Sequence, residues 1–396
     1  MRIFDGNCEK DIREAGEVLR EGGVVAIPTE TVYGLAADAS NPAAIARIYA
    51  IKGRPDNKPL PVLMSGEEDA VRLCRLTVSA RELMAKYWPG PLTLIMNTTE
   101  EGQKLHIQPP SGPAAAAAPP TIGGRCPDHP AALAVLRGAG VPLALTSANR
   151  SGEPPPSSPS QIDLIGLGGI VDGGPCAVGR PSAILDVTND PPQLLRHSAE
   201  VIGITGGSGS GKSVVMERLK ERGAAVIRAD EVYHRLILSD EGMLAELRER
   251  FPKAFLQSGT FDRAAMRGIA FSDTEALADL NRITHPHVIK EVRREMAQAY
   301  LKDSAAPIAI EAIALIGSGL DALCSFKIAL TAPFLTRVER IMARDGLESE
   351  DVMKRLRNQK NDEYYSEKCD MTIDNNGTEK DLIEKVDELW KTRINS

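Results

Sequence analysis

The 396-residue sequence predicts an α/β protein built as two units, 1–199 and 200–396. Length allows this division, at roughly 100–200 residues per domain. All but Pro252, Pro286, Pro307 and Pro333 of the 27 prolines precede residue 200, so a half rich in turns gives way to long helices between strands. The first half holds short apolar runs separated by turn signals. The second alternates helical patterns with strands that are apolar throughout, as in a parallel sheet covered on both faces. The joint at 195–201 has little Gly or Ser, which predicts closely apposed units rather than a loose tether.

Each element follows from its pattern. In the first half, helical spacing runs over 9–21, 42–52, 79–87 and 130–138. Strands are expected at 23–28, 61–64, 92–97, 142–147, 169–172 and 183–187. The Pro/Ala tract 109–120 and the Pro/Ser tract 151–160 read as exposed loops. In the second half a strand at 201–205 leads into a helix at 213–222, then a strand at 225–230. After a long helical stretch come an apolar run at 307–315, a strand at 326–331, helices at 335–345 and 350–361, and a strand at 371–374.

Composition excludes several classes. Hydrophobic residues at 42% and charged residues at 26% suit a globular chain rather than a fibrous or disordered one. A net charge of -7 argues against a general nucleic-acid or anionic-membrane coat, and stable DNA binding is not expected. No apolar run reaches the roughly 18 residues of a membrane span, and the opening residues lack a basic-then-apolar leader. Cys8, Cys74, Cys126, Cys176, Cys324 and Cys369 are scattered, without zinc spacing, and read as reduced thiols of a cytoplasmic protein.

The sharpest motif is Gly206, Gly207, Ser208, Gly209, Ser210, Gly211, Lys212 and Ser213, which fits G-x-x-x-x-G-K-[ST] between a strand and a helix. Glycines let successive N–H groups turn onto phosphate oxygens, and the helix N-terminus adds partial positive charge. Lys212 reaches the β- and γ-phosphates of ATP, and the Ser213 hydroxyl ligates Mg²⁺. Asp230 ends the next strand, where it either accepts an acceptor hydroxyl's proton or caps a helix. Glu311 is a weaker candidate for holding Mg²⁺ through water. Arg337, Arg340 and Arg344 share a helical face, either solvated or forming a lid over the migrating phosphoryl group. Arg355 and Gln359 repeat the i, i+4 relation on the next helix.

Residues 201–396 resemble the dephospho-coenzyme A kinase family. The resemblance rests on the loop, on 226–230, on Ile283 to Pro286, on Arg340 to Asp345, on Arg355 to Gln359 and on Ile373 to Asn375, in family order. It implies a P-loop kinase fold with a helical lid, and transfer of the ATP γ-phosphoryl group to the ribose 3′-hydroxyl of dephospho-CoA. Asp230 is then the acid–base candidate beside Lys212 and Arg344, and Arg340 and Arg344 meet ATP. Gly317 stands where many members carry Glu.

In the first half the notable groups are 28–35, Lys52 with Arg54, Thr146 to Asn149, and Ser182 with Arg196. On spacing alone, Lys52 and Arg54 suit phosphate binding or a solvated helix end equally well. Residues 10–197 resemble the YrdC-like threonylcarbamoyl-AMP synthase family, through 22–39, 48–64, 87–96, Ile122 to Pro130, 146–152 and Val171 to Gly174. This implies a twisted open α/β fold with a positive cavity that joins threonine, bicarbonate and ATP for the t6A modification of tRNA, with other t6A-modification proteins as partners. Lys52 and Arg54 then clamp the triphosphate with Mg²⁺, Ser147 and Asn149 hold the nucleotide, and Arg196 faces its phosphate. Thr29, Tyr33, Arg125 and Ser182 place threonine. The chain departs from the family at 109–120, at Ala183 and at 195–198. Those departures motivate a second reading, a tRNA- or nucleotide-binding module without chemistry; the acidic charge counts against it.

Overall fold

Apolar strands and amphipathic helices gather into two units, Met1–Ser198 and Ala199–Ser396. The computed structural model describes residues 2–53, 59–108, 120–357 and 359–394 of them.

Among the described residues the first unit has one mixed sheet of eleven strands. They are β1 (Ile3–Asp5), β2 (Val25–Ile27), β3 (Gly34–Asp38), β4 (Val62–Leu63), β5 (Cys74–Arg75), β6 (Leu92–Thr98), β7 (Thr121–Arg125), β8 (Leu143–Ser147), β9 (Gly169–Asp172), β10 (Ala183–Asp186) and β11 (Gln193–Arg196). Their order is β1-β9-β2-β3-β8-β4-β7-β6-β10-β11, with β5 beside β6. The helices are α1 (Glu9–Arg20), α2 (Pro42–Lys52), α3 (Glu67–Leu73), α4 (Val78–Tyr87) and α5 (Pro130–Ala139). Ile12, Ala15 and Leu19 of α1 meet Ala132, Val135 and Ala139 of α5 over the sheet, at spacings that put each set on one face. Asn41 caps α2 by accepting from the Ala43 and Ala44 N–H groups, and Pro42 opens the helix.

Five of these strands were not legible as strands: β1, β3, β5, β7 and β11 lie outside the expected runs. β3 and β7 are built from Gly, Ala and Thr as much as from large apolar residues, so neither periodicity nor apolar length marks them. Of the tract 109–120, residues 109–119 lie outside the described residues.

The second unit holds five parallel strands, β12 (Val201–Thr205), β13 (Ala225–Arg228), β14 (Ile308–Glu311), β15 (Phe326–Thr331) and β16 (Met371–Asp374), in the order β13-β14-β12-β15-β16. The helices are α6 (Lys212–Glu221), α7 (Ala229–Ser239), α8 (Glu241–Arg250), α9 (Arg263–Ser272), α10 (Thr274–Lys302), α11 (Phe334–Asp345), α12 (Ser349–Arg357), α13 (Asp362–Ser366) and α14 (Glu379–Leu389). Val215, Met216 and Leu219 of α6 are fully buried against Ile202, Ile204, Ile328 and Leu330. Each such side chain contributes about 1.5–3 kcal/mol over leaving it exposed. The parallel sheet read from continuous apolar runs is present, with three corrections of extent. The strand expected to 230 ends at Arg228, so Asp230 lies in the first turn of α7. The run 307–315 is strand only to Glu311. The helix expected to 361 ends at Arg357, so Gln359 is not on it.

Ionic contacts tie α10 to α8: Arg250 lies 2.5 Å from Asp279, and His287 reaches two carboxylates. His287 places Nδ1 2.9 Å from Asp240 and Nε2 3.1 Å from Glu246. Arg235, Glu241, Lys290, Glu291 and Arg294 line the same cavity. Burial alone pushes His287 down, but the two carboxylates outweigh it and hold the imidazolium above its ordinary 6.5. A raised folded value means that the stability is complete below the unfolded value and is lost as pH rises through the folded one. His287→Gln is therefore expected to lower the thermal midpoint more at pH 6 than at pH 9. An equal loss at both would remove the charge from the explanation.

Candidate functional site

Among the described residues, each unit shows a polar cavity lined by residues singled out in the sequence. In the second unit, β12 ends at Thr205 and the chain turns through 206–211 into α6. Gly206 has φ +135°, and a Cβ there would lie 2.2 Å from the Leu330 carbonyl oxygen. At Gly207 a Cβ would lie 2.0 Å from the Arg337 guanidinium. A side chain at Gly206 would push the loop off the sheet edge, and one at Gly207 would displace the Arg337 guanidinium.

Lys212 is 7% exposed. Its Nζ donates to the carbonyls of Gly206 at 2.9 Å and Gly207 at 3.2 Å. Burial pushes its pKa down, opposed by the carboxylates of Glu311 and Asp230. Burial pushes Glu311 up, and Lys212 restrains that shift.

A cavity of about 520 Å³ joins Ser208, Gly209, Gly211, Lys212, Ser213, Asp230, Glu311, Arg340, Arg344 and Arg355. These come from the loop, the carboxyl edge of the sheet and the two helices α11 and α12. Gly206, Gly207 and Ser210 belong to the loop but not to the cavity wall. Arg344 and Arg355 both bind Asp345, at 2.6 and 3.2 Å. Arg337 parts from its helical neighbours: it is buried beneath the loop, with Nε donating to the Ser208 carbonyl at 2.9 Å. Sequence reasoning gave no role to Asn375, just past β16, whose amide donates to the Ser210 carbonyl at 2.9 Å. Its place after the carboxyl end of a parallel strand was the available signal.

Among the described residues no group of three His, Cys, Asp or Glu could hold a metal ion. The hydroxyl of Ser213 and the carboxylates of Asp230, Glu311 and Glu379 are among the hard oxygen donors lining this cavity. That sparse oxygen set fits Mg²⁺, which keeps waters and substrate phosphates as ligands rather than a full protein cage.

In the first unit a cavity of about 200 Å³ joins Thr29, Thr93, Arg125, Ser147, Ser182 and Arg196, with Val32, Leu63, Leu145 and Ile184 as its apolar wall. Arg196 on β11 donates to the Ser182 carbonyl at 2.8 Å and to its hydroxyl at 3.2 Å. Ser182 and Thr93 share a hydrogen bond of 2.9 Å. Thr93 was missed; a lone Thr inside the apolar run of β6 was its signal. Arg125, at the end of β7, donates to Thr31 Oγ1 at 2.8 Å and stands 2.8 Å from the Glu30 carboxylate, with both charges almost wholly buried. Thr29 donates to the Val32 carbonyl at 2.7 Å, closing the turn that holds Thr31.

Three predicted residues lie off this cavity wall. Lys52, 4% exposed, gives its ammonium to the carbonyls of Ser147 and, at 2.7 Å, Asn149. Asn149 donates to the carbonyls of Arg150 and Glu153 at 2.8 and 2.6 Å. The Tyr33 hydroxyl donates to the Gly174 carbonyl at 2.8 Å, and burial pushes its pKa up to about 12. Arg54 lies outside the described residues.

The model of the Sua5/YciO/YrdC family, described as telomere recombination, matches residues 17–198, and the dephospho-CoA kinase model matches residues 200–381. A threonylcarbamoyl-AMP synthase of Bacillus subtilis is 43% identical over 195 residues, 48% of this chain and 53% of that protein. Its counterpart in Pyrococcus abyssi is 38% identical over 192 residues, 48% of this chain and 54% of that protein. The chain thus spans about half the length of these synthases. A dephospho-CoA kinase of Ralstonia nicotianae is 37% identical over 196 residues, 48% of this chain and 96% of that protein. Its first half matches the Sua5/YrdC model, and through its second half the chain belongs to the dephospho-CoA kinase family.

Proposed function

We propose that the chain is a bifunctional ATP-dependent enzyme. Its second unit phosphorylates the ribose 3′-hydroxyl of dephospho-CoA, giving coenzyme A and ADP. Its first unit joins threonine, bicarbonate and ATP into threonylcarbamoyl-AMP and pyrophosphate for the t6A modification of tRNA, alongside other t6A-modification proteins. The observation that carries the kinase reading is one cavity shared by Lys212, Ser213, Asp230, Arg340 and Arg344. A cytoplasmic setting suits both substrate sets and the free thiols.

Phosphoryl transfer needs positioning and charge neutralisation more than covalent help. We assign Lys212, Arg340 and Arg344 to the phosphates and Asp230 to the proton of the attacking hydroxyl. Ser213 would hold Mg²⁺, which would supply further neutralisation of the phosphate charge. In the first unit, Arg125 pairs with the threonine carboxylate, aided by Thr29 and Ser182, while Tyr33 braces the turn at 173–174 beside them. Ser147, Asn149 and Arg196 serve the nucleotide. We assign Lys52, which shapes the loop from Ser147 to Asn149, and Arg54 to the triphosphate.

Two assays test this: dephospho-CoA with ATP for CoA, and threonine with bicarbonate and ATP for threonylcarbamoyl-AMP. Absence of either product from active-folded protein removes that half of the reading. Asp230→Asn is expected to lower kcat for CoA formation by about 10²–10⁴-fold, as for loss of a general base, with KM for ATP little changed. An unchanged kcat removes Asp230 from the proton transfer.

A further inference from the structure

The chemistry above leaves Gln359 unused. It lies two residues past the last residue of α12, yet its carboxamide closes on Ser208 of the phosphate loop from two directions. The Ser208 N–H donates to Gln359 Oε1 at 2.9 Å, and Gln359 Nε2 donates to Ser208 Oγ at 2.7 Å. Arg337 completes the arrangement from α11. Its Nε donates to the Ser208 carbonyl at 2.9 Å, its Nη2 to the same Gln359 Oε1 at 3.2 Å, and its Nη1 to Asp362 at 3.3 Å. Every polar group of Ser208 is thus held by two side chains from the helical segment after β15.

The placement matters because of what surrounds Ser208. Gly207 and Gly209 flank it, and glycine imposes no backbone shape of its own. A phosphate loop binds anions only when several of its N–H groups are turned inward together; the Ser208 N–H is spent on Gln359 and so anchors the loop from behind. The planar fork of Arg337 is rigid, and a side-chain amide can accept and donate at once, so the pair can fix one loop residue in orientation as well as position. Gln359 also follows Arg355 by four residues, and Arg355 lines the cavity.

We propose that Gln359, backed by Arg337, is a positioning residue that sets the phosphate loop through Ser208, so that the loop takes its anion-binding shape only when the segment carrying Arg355 is seated. This rests on reading the second cavity as a nucleotide site. It makes closure of the arginine-bearing segment and readiness of the loop one event, felt by the nucleotide rather than by the acceptor.

The test uses the full chain and ADP in calorimetric titration, with the binding lost in Lys212→Met assigned to this site. Gln359→Met keeps the side-chain length without the amide. It is expected to weaken ADP there, and raise KM for ATP, by roughly tenfold, the scale of one to two hydrogen bonds. KM for dephospho-CoA should stay within about twofold, an effect too small to reflect a lost hydrogen bond. Ser208→Ala should weaken ADP less, and adding it to Gln359→Met should cost little more, because the partner of that hydroxyl is already gone. Unchanged ADP affinity in Gln359→Met, equal changes in both KM values, or additive losses would overturn the proposal. If the unsubstituted chain binds ADP at this site but makes no CoA, the kinase reading falls and the titration still decides the role of Gln359. A chain that binds no ADP there overturns both.

Discussion

Lys212→Met is expected to cut CoA formation by about 10²–10³-fold, the scale for removing one preorganised charge from a transition state, while threonylcarbamoyl-AMP formation stays unchanged. Lys212 is nearly enclosed, and its ammonium is held by two carbonyls of its own loop. A cation in that setting faces little competing water, so its field reaches a phosphoryl group at close to full strength. With Arg228 it also restrains the upward shift of the Glu311 carboxyl. Methionine keeps much of the volume, so the loss reports charge rather than a cavity. CoA formation reduced less than tenfold would assign the charge stabilisation to Arg340 and Arg344 instead. Parallel loss of both activities would point to unfolding.

The two sites were unequally legible, for physical reasons. A phosphate loop is a local device: eight consecutive residues carry it, and flanking apolar runs identify the strand and helix it joins. The carboxylates Asp230 and Glu311 follow because ligands gather at the carboxyl edge of a parallel sheet. What sequence could not give was the fate of three arginines on one face. Spacing made Arg337, Arg340 and Arg344 equivalent, but only the first lies under the loop. Its burial is set by contacts with Ser208, 129 residues earlier. Gln359 was misread for the same reason: its partner is 151 residues away, and the helix it was placed on stops before it. In the first unit the cavity is assembled from β3, β4, β6, β7, β8, β10, β11 and the loop between β2 and β3, with no local run to announce it. Resemblance named Thr29, Arg125, Ser147, Ser182 and Arg196, all of which line it. Glu30 and Thr31 sit in the group 28–35 that the sequence singles out, but their roles, like Thr93 itself, became visible only through their partners.

Glu30 gives the second large effect. Arg125 and Glu30 are 8% and 10% exposed, and Oε1 of Glu30 has no hydrogen-bond partner. Removing the guanidinium strands a buried carboxylate, so Arg125→Met is expected to destabilise the first unit by about 3–5 kcal/mol, read as a lower urea midpoint. Adding Glu30→Gln removes the stranded charge and should restore most of that stability. Activity should part from stability. The double variant has regained its fold but still lacks the cation for the threonine carboxylate, so threonylcarbamoyl-AMP formation should stay depressed, with KM for threonine raised. If the double variant recovers activity along with stability, Arg125 serves the fold alone and another cation must meet the amino acid. If the single variant is as stable as the parent, the pair is not desolvated as its burial indicates. The separation follows from one geometry: the same guanidinium faces Glu30 and Thr31 on one side and the cavity on the other, so the fold needs its charge balanced whereas the reaction needs the charge itself.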